Sequence, residues 1–142
     1  NPRVSATGSF GGPLPTAALL PGSPAINAGT ATGAPSTDQR GVARVGAVDI
    51  GAFESRGFTL AIESGNNQTA APGAAFALPL AVRVTPTAAG EPVAGGVVSY
   101  TVPASGASAT LASNPATINV GGVASTAATA NATTGAYTVG AA

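Results

Sequence analysis

Glycine and proline together supply 32 of the 142 residues, and this abundance constrains the fold more than any other feature of the sequence. Both residue types interrupt helices and mark turns. The apolar residues are mostly alanine and valine, with four Phe, two Tyr and no Trp. Small and β-branched side chains suit thin layers of packed sheet better than a helical core. The composition therefore predicts an all-β chain.

Short segments with period-2 alternation dominate the sequence from Phe58 onward. The words FTLAIES, ALPLAVRVTP and GGVVSYTVPAS each place their large apolar side chains on one face, as in half-buried strands. Turn-forming words such as ESGNNQ, TAAGEP and NATTG separate them. Further strands are predicted at 107–112, 116–120, 123–129 and 136–140. Short strands at this spacing are typical of a β-sandwich.

The character of the sequence changes near Gly57. Before this point, charged residues and prolines alternate with short apolar words, and after it long uncharged segments follow one another. We therefore predict two pieces, an N-terminal segment at 1–56 and a sandwich domain at 57–142.

The second piece contains sequence motifs that resemble those of a known family. SGNNQTAAPGAAFALPLAVRV, GEPVAGGVVSYTVPASGASA and GAYTV, within residues 58–140, resemble a bacterial immunoglobulin-like domain of the invasin/intimin type. The resemblance implies a rod or spacer of a surface adhesin, with Tyr137 in the manner of a tyrosine corner. Relatives run one more strand after GAYTVGAA, so the resemblance implies an Ig-like sandwich that lacks its last strand.

The first piece has a resemblance of its own. LLPGSPAINAG, DQRG and DIGAFE, within residues 10–54, resemble the closing segment of right-handed parallel β-helix surface proteins of the choice-of-anchor Q type. Asn27 stands where that family often has Asp. A β-helix buries its interior by stacking coils, and this piece has room for about one. The resemblance implies a β-helix-like terminal cap at 1–56.

Charge is concentrated in the run TDQRGVARVGAVDIGAFESR, which holds six of the ten charged side chains. We expect a structural charge cluster in which an aspartate caps a turn and Arg40 forks onto one of the later carboxylates. The expected cluster comprises Asp38, Arg40, Arg44, Asp49 and Glu54. Leu19, Leu20, Ile26, Ile50 and Phe53 are expected to pack beneath it.

Two functional alternatives remain open for the same run. Asp49 and Glu54 form a carboxylate pair of the kind that glycoside hydrolysis uses, and Asp38 could join them as an oxygen ligand of calcium. The arginines are numerous enough to neutralise these acids. The chain also has no His, Cys or Lys, which are common catalytic and metal-binding groups. We predict no enzyme activity, no metal and no cofactor.

Net charge and hydropathy limit the partners. The formal net charge is zero, which argues against a nucleic-acid surface. No run of about 18 apolar residues predicts a membrane span. The chain begins at Asn rather than Met, so we expect a processed or excised protein. Its composition is typical of secreted and cell-surface proteins, so we expect an extracellular or cell-surface location.

The segment RVSATGSF, residues 3–10, alternates regularly and places Val4, Ala6, Gly8 and Phe10 on one face. This pattern suits a donor strand that enters the open edge of a neighbouring copy. The candidate acceptor edge carries Tyr137 and Val139. Two alternatives remain open: the segment is a strand of its own cap, or it is disordered.

These expectations favour a structural subunit of an extracellular bacterial fibre or surface assembly. Its copies would be partners, joined head-to-tail by donor-strand complementation. A fragment of a large surface adhesin, acting as spacer and cap without self-assembly, is an alternative, and flanking residues would then complete both pieces. A remnant of a polysaccharide-binding or polysaccharide-cleaving β-helix protein is a second alternative.

Overall fold

The computed structural model describes residues 2–142, and within them it contains strands, turns and loops but no helix. The prediction of an all-β chain is confirmed. The strands of this part of the chain are β1 (Phe58–Ser64), β2 (Leu80–Pro86), β3 (Val97–Val98), β4 (Tyr100–Thr101), β5 (Ala109–Leu111), β6 (Ala116–Thr117), β7 (Val123–Thr126), β8 (Ala128–Ala130) and β9 (Gly140–Ala141).

Backbone contacts divide the chain into two compact units. The N-terminal unit comprises the residues up to Thr59 together with Thr85–Gly96, and the C-terminal unit comprises Leu60–Val84 and Val97–Ala142. The N-terminal unit thus includes a segment that begins with the last two residues of β2 and continues beyond it.

Four small sheets organise the strands. The largest has the order β1-β2-β7, and the others pair β3 with β6, β4 with β9, and β5 with β8. The β2–β7 pair is antiparallel, with Val82 opposite Ala124. The strands β5 and β8 are also antiparallel, with Thr110 opposite Thr129. Since β1 and β7 are the outer strands of the largest sheet, the far edge of β1 has no neighbour within it.

Small side chains from alternate strand positions form the core of the C-terminal unit. In β2, Val82 and Val84 are buried while Arg83 between them is exposed, as the alternation predicts. Tyr100 is buried as well, and its hydroxyl donates to the carbonyl of Ala124 at 2.9 Å. Burial raises the pKa of this phenol. The side chain of Asn114 bridges the backbone N–H and C=O of Tyr100 and so fixes β4 locally.

Turns and isolated bridges, rather than long strands, build the N-terminal unit. Antiparallel bridges join Val4 to Leu19 and Gly8 to Thr16. The core lies around Phe53, which is 1% exposed. The ring of Phe10 meets that of Phe53 edge-on at 5.8 Å. This contact packs Phe10, near the start of the chain, against the buried ring of Phe53 at the centre of the unit.

Several local predictions differ from the structure. Ile50 is 55% exposed rather than packed beneath the charged run, whereas Leu19 and Leu20 are buried. The predicted strand 136–140 is shorter and later, since β9 is Gly140–Ala141. In β1, the face that alternation assigned to the core is largely open. A strand pattern states which side chains share a face, but it does not say that anything covers that face.

Candidate interaction surfaces and the charge cluster

Asp38 is the turn-forming carboxylate of the charged run, and it is buried. Its Oδ1 accepts the amides of Arg40 and Val42, at 2.8 and 3.1 Å. Its Oδ2 accepts the amide of Glu54 and the guanidinium of Arg40, with Nη2 at 2.7 Å. Burial raises the pKa of this carboxyl, but the hydrogen bonds together outweigh it and hold the pKa below its usual value.

Arg40 therefore pairs with Asp38, its neighbour in the turn, and not with the carboxylates of Asp49 or Glu54. Its guanidinium also donates to the backbone carbonyl of Glu54 at 2.7 Å. It lies 3.6 Å above the ring centre of Phe53, a cation–π geometry. The ion pair thus covers the core ring and ties the turn to the end of the charged run.

Glu54 is 1% exposed, and it is the centre of the second ion pair. Arg44 Nη1 lies 2.8 Å from Oε2 of Glu54. The amides of Val45 and Asp49 also donate to this carboxylate. The guanidinium of Arg44 further donates to the carbonyls of Asp49 and Gly51, and its buried Nε has no partner among the described residues.

Asp49 binds backbone alone. Its two oxygens accept the amides of Asn27 and Ser55, both at 2.6 Å. Asn27 has a positive φ of 55°, a conformation that asparagine tolerates better than most residues. Asp49 thus connects the loop at residues 24–29 to the end of the charged run through hydrogen bonds.

The three carboxylates of the run accept seven backbone amides and two guanidinium groups between them. Every carboxylate oxygen has at least one N–H donor. Buried acids satisfied in this way stabilise loops and are poorly placed to bind a substrate or a cation. Within residues 2–142, no group of three or more acidic side chains is arranged to hold a metal ion.

Glu91 is a further buried acid, and it lies outside the charged run. Its carboxylate accepts the hydroxyl of Ser55 at 3.1 Å and the amide of Arg56. Burial raises the pKa of this carboxyl, although these bonds and the nearby charges of Arg40 and Arg56 oppose the shift. Glu91 fastens the segment Thr85–Gly96 to the end of the charged run within the N-terminal unit.

An open groove of about 890 Å³ runs through the C-terminal unit. Its lining includes Leu60 and Ile62 of β1, Tyr100, and the predicted acceptor residues Tyr137 and Val139. None of the lining residues is acidic or basic. Ile62 is 68% exposed and Leu60 40% exposed. The groove is uncharged, it combines apolar side chains with polar ones such as Gln68 and Asn131, and part of its lining comes from the edge strand β1.

The two acceptor residues precede β9 and belong to no strand. Both side chains are half-buried in the groove wall. The tyrosine whose hydroxyl binds a strand carbonyl is Tyr100, and the sequence analysis had placed that residue only on a core face.

The candidate donor segment is paired inside its own unit. The amide of Ser5 donates to Ala18, and Gly8 and Thr16 exchange both backbone bonds at 2.9 Å. This is the arrangement that the sequence analysis held open as a strand of its own cap. Ala6 is exposed and Phe10 half-buried.

Val4 lies on the rim of a second groove, of about 340 Å³, within the N-terminal unit. Leu19, Ile50 and Phe53 also line it, and its lining contains no acidic or basic residue. Val4 is 44% exposed. A groove without acidic or basic lining residues is thus present at the surface of each unit.

Comparisons with protein-family models, with curated proteins and with solved structures found no match for this chain. Residues 2–142 include no helix long and apolar enough to cross a lipid bilayer.

Proposed function

We propose that the chain is a structural subunit of an extracellular bacterial fibre or surface assembly. In this assembly, the groove of the C-terminal unit receives a β-strand from another chain. The observation that carries the proposal is an uncharged groove that exposes Leu60 and Ile62 of β1, an edge strand of its sheet. Exposed, flat and apolar strand edges tend to pair with another strand unless something covers or charges them.

The chemistry of the groove favours an extended peptide as its occupant. A strand added along β1 would satisfy the free backbone groups of that edge, while alternate side chains would enter the groove. Leu60 and Ile62 would then lose their contact with water, which contributes about 1.5–3 kcal/mol for each side chain fully buried. A charged ligand would find no oppositely charged side chain in the groove lining.

The resemblances of the two pieces to an adhesin-type Ig-like domain and to a β-helix terminus support the same proposal. Both belong to bacterial surface proteins, and the low charge of this chain agrees with an extracellular setting. The satisfied carboxylates of the charged run favour a structural over a catalytic role for Asp49 and Glu54.

A second candidate is a spacer and cap of a larger adhesin that does not self-assemble. One observation favours it: residues 3–8 already pair with 16–20 in the N-terminal unit. In that case the groove would be covered by flanking parts of the same polypeptide.

Sedimentation over a range of concentrations, followed by negative-stain microscopy, tests the proposal. Wild type should form oligomers or fibres, and Ile62→Asp should be monomeric because it places a charge in the apolar groove. Val120→Asp is the matched control, since Val120 is 99% exposed and does not line the groove. Circular dichroism should show that both variants are folded. A wild-type chain that remains monomeric up to its solubility limit would contradict the proposal.

A further inference from the structure

We propose that residues 3–8 of a second copy form the strand that β1 receives. This donor segment binds through its outer edge, and its inner edge stays paired with residues 16–20 of its own unit. This inference rests on the proposed assembly and names the partner and the way it binds. It differs from strand exchange, in which the segment would leave its own unit.

The donor segment has one engaged edge and one free edge. Its bonded groups belong to Arg3, Ser5 and Gly8, which form backbone bonds with Leu20, Ala18 and Thr16. Groups of successive residues in a strand point to opposite sides, so those of Val4, between Arg3 and Ser5, point outward. The register shifts by one residue between the Val4–Leu19 and Gly8–Thr16 bridges, and the carbonyl of Ala6 accepts the hydroxyl of Ser5 at 2.8 Å. Within residues 2–142, the amides of Val4 and Ala6 donate to no backbone carbonyl.

The side chains of the segment are divided in the same way. Arg3 donates to the carbonyl of Gly22 at 2.9 Å, and the hydroxyl of Ser5 accepts the amide of Ala18. The polar side chains are thus used inside the unit, while Val4 and Ala6 remain exposed. A strand with exposed apolar side chains and free backbone groups along one edge is suited to an apolar strand as partner.

The outer edge of β1 has the complementary character. It spans seven residues, Phe58–Ser64, close to the length of the donor segment. Eight large apolar side chains are exposed among residues 2–142. Four of them line the two grooves: Val4 and Ile50 in the N-terminal unit, and Leu60 and Ile62 in the C-terminal unit.

Charge is compatible with this pairing. Neither groove contains an acidic or basic side chain, and residues 4–37 of the chain are uncharged. The two strands themselves carry Arg3 and Glu63, which are opposite in sign and are bonded within their own units to the carbonyl of Gly22 and to Arg83. No like charges therefore oppose the contact.

Sharing an edge is favoured over exchange because exchange would break existing bonds. It would cost the four backbone bonds to residues 16–20 and the side-chain bonds of Arg3 and Ser5. Edge addition keeps all of them and adds new ones. It also brings Leu60 and Ile62 of one copy next to Val4 and Ile50 of the next.

The contact joins different surfaces of the two copies, so it is head-to-tail and leaves a free edge at each end. Repetition then gives a fibre, or a ring if the rotation closes. A contact of one strand is small against the roughly 1,600 Å² of a standard interface. We therefore expect assembly to depend strongly on concentration.

Cysteine cross-linking tests the pairing, because the chain has no cysteine of its own. Thr7→Cys places a single thiol at an exposed position of the donor segment, and Ala61→Cys places one at the centre of β1. Mixing the two variants under oxidation, or with a short bismaleimide that tolerates a slip in register, should give a mixed dimer on denaturing gels. Thr7→Cys mixed with Ala89→Cys is the matched control, since Ala89 is exposed and lies outside the donor segment and β1. Mixed-dimer yield no greater than this control would overturn the inference.

An internal disulfide separates sharing from exchange. Ala6 and Ala17 both lie between the Val4–Leu19 and Gly8–Thr16 bridges, so oxidation of Ala6→Cys with Ala17→Cys locks the segment to its own unit. The oxidised variant should assemble as well as the reduced one. Loss of assembly on oxidation alone would show that the segment must leave its unit, and sharing would be wrong.

Deletion of residues 2–9 distinguishes this inference from the proposed function. Loss of assembly, with circular dichroism unchanged, supports both. Assembly that survives the deletion but is lost in Ile62→Asp leaves the groove as the acceptor and overturns residues 3–8 as the donor.

Discussion

Replacing Glu54 by alanine tests whether the charged run is structural. The carboxylate is 1% exposed, and it accepts the guanidinium of Arg44 and the amides of Val45 and Asp49. Glu54→Ala removes all three acceptor contacts at once. The side chain of Arg44, which is only 10% exposed, then loses its counter-charge.

The expected cost follows from these contacts. Removing one partner of a buried ion pair costs about 3–5 kcal/mol, since the other charge stays buried. Arg44 keeps the carbonyls of Asp49 and Gly51 as acceptors, which favours the lower end, about 3 kcal/mol. A unit of roughly 70 residues has a stability of about 4–10 kcal/mol. The variant should therefore lose a third or more of the stability of the N-terminal unit.

Scanning calorimetry measures this loss directly. A change of 3 kcal/mol lowers the midpoint of a domain of this size by about 12–24 °C. Glu63→Ala is the matched control, because the pair Arg83–Glu63 is as short, at 2.6 Å, but lies in solvent. The control should change the midpoint very little. If Glu54→Ala were no more destabilising than Glu63→Ala, the structural interpretation of the run would be wrong. A selective loss of polysaccharide cleavage at unchanged stability would favour the enzyme alternative instead.

Three further predictions concern the pH dependence and the backbone. The pKa of Glu91 is raised, so the contribution of this carboxyl to stability is present below its ordinary pKa of 4.5 and is lost as pH rises through the pKa of the folded state. Glu91→Gln keeps a hydrogen-bond acceptor, and it should therefore gain stability relative to wild type between about pH 4.5 and 7 in urea titrations. Equal pH profiles of the two proteins would contradict this. The lowered pKa of Asp38 has the opposite sign, so wild type should lose stability as pH falls below 3.8, and Asp38→Asn should lack this loss. Gly65→Ala should destabilise the C-terminal unit more than Gly73→Ala. Both glycines have positive φ, but only Gly65 lies against a neighbouring backbone carbonyl. Equal thermal midpoints of the two variants in calorimetry would show that this close approach has no cost.

The sequence was informative wherever one local pattern decided the outcome. Period-2 alternation with small side chains predicted an all-β chain, and in β2 it predicted the buried face of Val82 and Val84 correctly. The turn role of Asp38 also followed from local chemistry, since an aspartate readily accepts the amides of the next few residues.

The remaining features depended on geometry that no local pattern contains. Arg40 pairs with the carboxylate of Asp38 rather than with a later one, because the turn brings it back onto its near neighbour. Alternation placed Leu60 and Ile62 on a common face, yet the structure leaves that face open. The role of Glu91 was also hidden, since its partners Ser55 and Arg56 lie 35 or 36 residues away.

The distribution of charge leads to a last prediction, on salt. Both grooves lack acidic and basic side chains, and the charged residues of the two joined strands, Arg3 and Glu63, already have partners in their own units. We therefore expect no ion pair to hold the proposed assembly together. From about 0.01 to 0.1 M salt the Debye length falls from about 30 to 10 Å, and association by charge would weaken over this range. Association by apolar burial and backbone bonds should change little, and sulfate should strengthen it. Light scattering across a series of sodium chloride and sodium sulfate concentrations measures this. Dissociation by moderate sodium chloride would show that charged residues outside the grooves make the contact.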